Sequence, residues 1–197
     1  SLAACRRRAE LETKVLGSVP LQFPTYMYEE AMAEAADPVT AGVALARRER
    51  ERLDVGSGAL DDLLDQVEAQ GLKVVQLAFP PDSALLGVFV FDAKLGPALL
   101  VNAERPRAER EYAAAHLYGH FLADFDPYHS WVCLLAGEAE AAPEELRARV
   151  FAGAFLVPPD DLAVFLKAAG QKAGAPLPGP LLDQLRVYFG ADNRAIV

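Results

Sequence analysis

From Ser57 onward the chain moves between two hydrophobic periods. Leu60, Leu63, Leu64 and Val67 recur at i, i+3, i+4 and i+7, with Asp61, Asp62, Asp65 and Glu68 opposite. That spacing predicts an amphipathic helix capped by Ser57 and closed by Gly71. Three short apolar runs follow, over 72–79, 86–91 and 98–102, and read as strands. The last two are joined by Asp92-Ala93-Lys94-Leu95-Gly96, a loop of hairpin length carrying Gly. A long helix is expected over 107–124 and another from Pro143 to Val157, where Pro suits the first turn because its missing N–H has no partner to lose. Pro158-Pro159 ends it, and two weaker helical segments close the chain.

Before Ser57 the pattern is helical but less regular. A helix is expected over 2–16, with Leu2, Leu11 and Leu16 inward and Gly17 ending it. Residues 18–24 hold two prolines and read as extended, a linker or an arm. Helices over 26–36 and 40–53 follow, punctuated by Asp37-Pro38. The whole reads as an α+β protein in which a small three-stranded sheet packs on a helix pair. The expected division is a helical extension or connector over 1–56 and one folded domain over 57–197.

Composition narrows the field. At 197 residues, 52% hydrophobic and 24% charged, the chain has an ordinary globular make-up. No run reaches the roughly 18 apolar residues a membrane span needs. Arg6, Arg7 and Arg8 come early with no apolar stretch behind them, so no secretory signal is expected and the expected location is cytoplasmic. The net charge of −9 argues against binding of nucleic-acid backbone by the domain itself. Arg47, Arg48, Arg50 and Arg52 alternate with Glu49 and Glu51, which predicts a solvated, salt-bridged helix face. Cys5 and Cys133 lie far apart and form no CxxC, so reduced thiols are expected.

The segment richest in chemistry runs from Glu111 to Asp124. His116 and His120, four apart on the long helix, direct both imidazoles to one side. Two readings follow: a pair of packed histidines, or two nitrogen ligands to zinc that need a third ligand from elsewhere.

Residues 145–158, Glu-Leu-Arg-Ala-Arg-Val-Phe-Ala-Gly-Ala-Phe-Leu-Val-Pro, resemble a signature of the ImmA/IrrE family, E-x-x-A-(N/D)-x-F-A-x-x-L-L-x-P, which follows H-E-x-x-H in that family. Glu145, Ala148, Phe151, Ala152, Leu156 and Pro158 match, with Phe155 an apolar stand-in, and 99–106 resembles the strand and turn before the motif helix. The resemblance covers about 57–166. The Cys5–Glu12 segment also resembles the stretch that joins an XRE-type helix-turn-helix to such domains.

What the resemblance implies is a minimal zincin-like fold and a zinc site made by His116, His120 and Glu145. Glu145 is equally placed to start a helix, where the macrodipole favours a carboxylate. Two positions depart from the family. The general base of H-E-x-x-H peptidases is replaced by Leu117, which cannot carry a proton. Tyr118 lies on a different helix face from His116, and Glu111 is more than one turn earlier, so neither substitutes. Arg149 stands where the family has Asn or Asp beside the ligands; it can pair with Glu145 and take the place of the metal.

Tyr118, Tyr128 and Trp131 are candidates to line a residual pocket, and His129 reads as a loop or interface residue. The leading expectation is a catalytically impaired peptidase-like module, the sensory or interaction part of a bacterial transcriptional regulator. Its old cleft would take a small molecule, a peptide or a protein. DNA would be reached only through an upstream domain, with no membrane association and room for a homodimer. The alternatives are an active zinc endopeptidase that cleaves a repressor with another base, and an interaction domain with no ligand.

Overall fold

A computed structural model describes Arg7 and residues 37–92, 96–126, 128–134 and 142–196. The segments expected over 2–16, 18–24 and 26–36 lie outside the described residues, apart from Arg7, which is helical and exposed. Among the described residues seven helices and four strands form an α+β fold. In order they are α1 (Pro38–Leu53), α2 (Leu63–Ala69), β1 (Lys73–Leu77), β2 (Leu85–Asp92), β3 (Gly96–Asn102), α3 (Arg107–Ala123), β4 (Trp131–Leu134), α4 (Pro143–Leu156), α5 (Pro159–Ala168), α6 (Gly179–Phe189) and α7 (Asn193–Ile196). None of the described helices is long and apolar enough to cross a membrane.

The sheet has four strands rather than three, in the order β1-β3-β2-β4. β2 and β3 form the antiparallel hairpin expected, with Phe89 opposite Leu99. β1 runs parallel to β3, and β4 adds an antiparallel edge on β2, with Trp131 opposite Phe89. β4 escapes a reading of periodicity because four residues are too few to display alternation; the strand exists through its pairing with β2. The helix expected from Ser57 is also shorter than its apolar spacing suggests. α2 starts at Leu63 behind Asp62, whose φ of 46° puts it in the left-handed region. Residues 57–62 instead form a loop whose backbone is spoken for elsewhere: Gly58 N–H donates to the Asp161 carboxylate at 2.6 Å.

α3 lies against the sheet on one side and α4 on the other, and α1 packs along α4. Thirteen consecutive α3 residues, Glu111 to Ala123, are buried, as expected of a helix enclosed on all sides. Two glycines set the helix spacings. A Cβ at Gly119 would meet Phe151 Cδ1 at 2.8 Å, and one at Gly42 would meet the Arg147 carbonyl at 2.7 Å. The core is continuous from Leu45 and Ala46 of α1 through Phe89, Leu117 and Phe121 to Phe151, Phe155 and Leu185.

α1 begins with Pro38 in its first turn and Asp37 as cap, its carboxylate accepting from the N–H groups of Val39 and Thr40 at 2.9 and 3.0 Å. Of its Arg–Glu run, Arg47, Arg48, Glu51 and Arg52 are exposed as expected of a solvated face, and two residues depart from it. Glu49 and Arg50 are buried because this flank of α1 faces α3 and α4. Burial of such charges requires several partners each, and they have them. Glu49 accepts from the Tyr118 hydroxyl at 2.5 Å and from Arg52 Nε and Nη2 at 2.8 and 2.5 Å. Arg50 donates to the carbonyls of Phe155, Gly56 and Gly58 at 2.6, 2.8 and 2.9 Å, which ties the loop after α1 to the end of α4.

Candidate metal centre

Three of the residues singled out in the sequence converge. His116 and His120 lie one turn apart on α3, and Glu145 sits in the first turn of α4, brought alongside by the close approach at Gly119. The two Nε2 atoms are 3.1 Å apart, and Glu145 Oε2 is 3.1 Å from His120 Nε2 and 3.3 Å from His116 Nε2. A tetrahedral zinc ion about 2.0–2.1 Å from each donor separates its ligand atoms by about 3.3 Å. The three atoms thus form one near-regular face of such a tetrahedron, and His₂Glu is a donor set that catalytic zinc sites use. The residues fit the ion.

The tripod is supported from behind. His120 Nδ1 lies 2.8 Å from Asp124 Oδ2. A carboxylate only accepts, so Nδ1 carries a proton, and in the neutral ring Nε2 then turns its lone pair to the centre. Asp124 is in turn paired with Arg147, whose side chain is almost wholly buried. Trp131 of β4 stacks on the His120 ring at 3.9 Å and 9°. His116 has no such support: its Nδ1 is buried with no hydrogen-bond partner among the described residues, and the same holds for Trp131 Nε1.

Burial opposes the charged form of His120, but its hydrogen bonds to the Asp124 and Glu145 carboxylates outweigh it and raise its pKa. For His116 burial dominates and lowers the pKa. Burial also works against the Glu145 carboxylate, yet the hydrogen bonds to His116 and His120 hold its pKa far below the usual range. The centre therefore presents a charged oxygen and two imidazoles in different electrostatic settings.

Arg149 pairs with Glu145, but not in the position of the metal. Its Nε donates at 3.1 Å to Oε1, the outer oxygen, and leaves Oε2 to the histidines. The guanidinium thus fixes the carboxylate for one-oxygen coordination while its charge opposes a dication.

Leu117 is fully buried and packs toward β2, so close that a Cβ on Gly87 would lie 2.9 Å from its Cδ1. The position after His116, where H-E-x-x-H peptidases carry their base, is filled with hydrocarbon. A cleft of about 920 Å³ opens beside the tripod, and Glu145 is its only lining carboxylate among the described residues.

Of the three pocket candidates, Trp131 lines this cleft and the two tyrosines do not. Tyr118, two positions past His116 and so on the far side of α3, is buried against Phe151 and Phe155 with its hydroxyl on Glu49. Tyr128 is 96% exposed. His129, read as a loop or interface residue, lines the cleft with its ring 4.5 Å from that of Trp131. Sequence reasoning missed Asp124, although it repeats the four-residue spacing once more after His120. It also missed Arg147 and Arg194, for which no local pattern gave a signal.

No protein-family model matches this chain, and no curated protein matches it either.

Proposed function

We propose that this chain is a metallopeptidase-like domain of the ImmA/IrrE type that binds zinc at His116, His120 and Glu145 and has lost peptide hydrolysis. It acts, in this reading, as the sensory or interaction part of a cytoplasmic bacterial transcriptional regulator. The observation that carries it is a tripod of zinc-compatible dimensions next to a base position closed by Leu117. A bound zinc ion would act as a Lewis acid toward a ligand in the cleft. The protein's own part is to fix the Nδ1 proton of His120 on Asp124, so that the neutral ring offers Nε2 to the ion, and to keep Glu145 ionised. Loss of general-base help costs about 10²–10⁴-fold in rate, which supports ligand binding over turnover.

The test is metal analysis of the purified chain combined with a peptidase assay. About one zinc per chain is expected in the wild type, with the metal lost in His116→Ala and no cleavage in either. Robust cleavage by the wild type, abolished in His116→Ala, would overturn the proposal. That result would favour a second reading, an active peptidase that uses His129, an imidazole lining the cleft outside the tripod, as its base.

A further inference from the structure

The cleft beside the tripod is divided by chemistry along α4. Glu145 and Arg149 form one row, four residues apart, and Leu146, Val150 and Ala154 form the adjacent row. The first row leads to the histidines. The second, joined by Val43 of α1 and Leu162 of α5, makes an apolar wall that stays partly open to solvent. Arg194 of α7 lines the same cleft as Arg149, its guanidinium 4.8 Å from the centre of the Tyr112 ring. Asp192 holds Arg194 at 2.5 Å, and Glu109 lies 3.9 Å away; neither lines the cleft. Facing the space are two guanidiniums and one carboxylate, in a chain whose net charge is −9. The charged row and the apolar wall thus run side by side in one cavity of small-molecule size.

We infer that the cleft binds a carboxylate carried on an apolar chain, with the acid head between Arg149 and Arg194 and the chain along Leu146, Val150 and Leu162. Arginine favours this head group because its planar fork matches a carboxylate's two oxygens. The wall explains why the rest of the ligand is apolar: half-open aliphatic side chains gain from being covered. Such a ligand comes from either of two sources, a free aliphatic acid or the C-terminal end of a peptide with apolar last residues. The inference rests on the proposed reading of the cleft as a ligand site, though not on zinc being present.

Calorimetric titration of the full chain tests it, with octanoate and N-acetyl-leucyl-leucine as acids and octanol and the corresponding peptide amide as neutral partners. At least one acid is expected to bind ten-fold or more tightly than its neutral partner, and which acid does so identifies the source. Arg149→Gln and Arg194→Gln should each weaken that acid about ten-fold, the size expected for loss of a charge-assisted hydrogen bond. Val150→Ser should weaken octanoate or the peptide acid but not acetate. Thermal melting of each variant shows that it is folded, and Arg194→Lys, which keeps the charge, serves as second variant should the Gln form melt early. Equal binding of acid and neutral partner, or binding unchanged in both folded Arg variants, overturns the inference. Each titration is run with zinc and with chelator. Zinc binding without acid discrimination sinks this inference and leaves the metal reading standing; acid discrimination without zinc binding does the reverse.

Discussion

His120 is held from several directions at once: His116 and Glu145 at Nε2, Asp124 at Nδ1, and Trp131 on the ring face. An imidazole so constrained loses little freedom when it takes up an ion. Asp124→Asn should weaken zinc binding about ten-fold, the low end of the 10–100-fold typical of such supporting residues, because the amide oxygen still accepts from Nδ1. Competition with a chelating dye measures this, alongside a melt to show that Arg147 tolerates the change.

The charges of the centre give the metal-free protein a pH dependence. The Glu145 carboxyl is held below its ordinary value of 4.5, so its contribution to stability is complete above that pH and lost as pH falls. The His120 pKa is raised above 6.5, so its contribution is complete below that pH and lost as pH rises through the folded value. In chelator, the melting-temperature difference between wild type and Glu145→Gln should be largest between about 4.5 and 6.5 and shrink on both sides. A flat difference across pH 3 to 9 would mean that the pair does not titrate this way.

At the scale of elements, the site depends on how closely α3 and α4 approach. Gly119 stands between the two histidines, and a methyl group there would meet Phe151 at 2.8 Å. Overpacking of this kind costs about 1–3 kcal/mol. Gly119→Ala should therefore lower stability in chemical denaturation and, because α4 carries Glu145, weaken zinc binding as well. A stability change with zinc affinity intact would separate the helix spacing from the site.

The elements themselves were legible where the period was long: α3, α4 and the β2–β3 hairpin stand within a few residues of where alternation and spacing put them. What escaped was decided by contacts remote in sequence. β4 is a strand because β2 offers it an edge. The loop before α2 stays unwound because Arg50 and Asp161 take up its backbone groups. The buried state of Glu49 follows from Tyr118, 69 residues away, and no local pattern can show it.

For the molecule as a whole, the candidate site was half visible. The HxxxH spacing and the Glu145 segment marked the tripod, because side chains one turn apart share a helix face. Arg194 came into the cleft through the last short helix, a placement fixed only by tertiary packing. The continuous core does not depend on the tripod, so chelation should leave the protein folded. Zinc at 100 times its dissociation constant would add about 2.7 kcal/mol, which for a chain of this size raises the melting temperature by about 5–10 °C. Calorimetry with and without chelator reads this shift, and loss of the far-UV helical signal on chelation would contradict it.

The enclosure of α3 has a kinetic side. A helix buried from Glu111 to Ala123 is expected to exchange its amide hydrogens among the slowest of the protein, which hydrogen-exchange measurement checks. Two of the three candidate ligands therefore sit on the enclosed helix, and Glu145 lines the open cleft. Were an ion bound there, the carboxylate arm would be the ligand nearest the open cleft, and a ligand that engaged Arg149 would act on the residue that holds that arm.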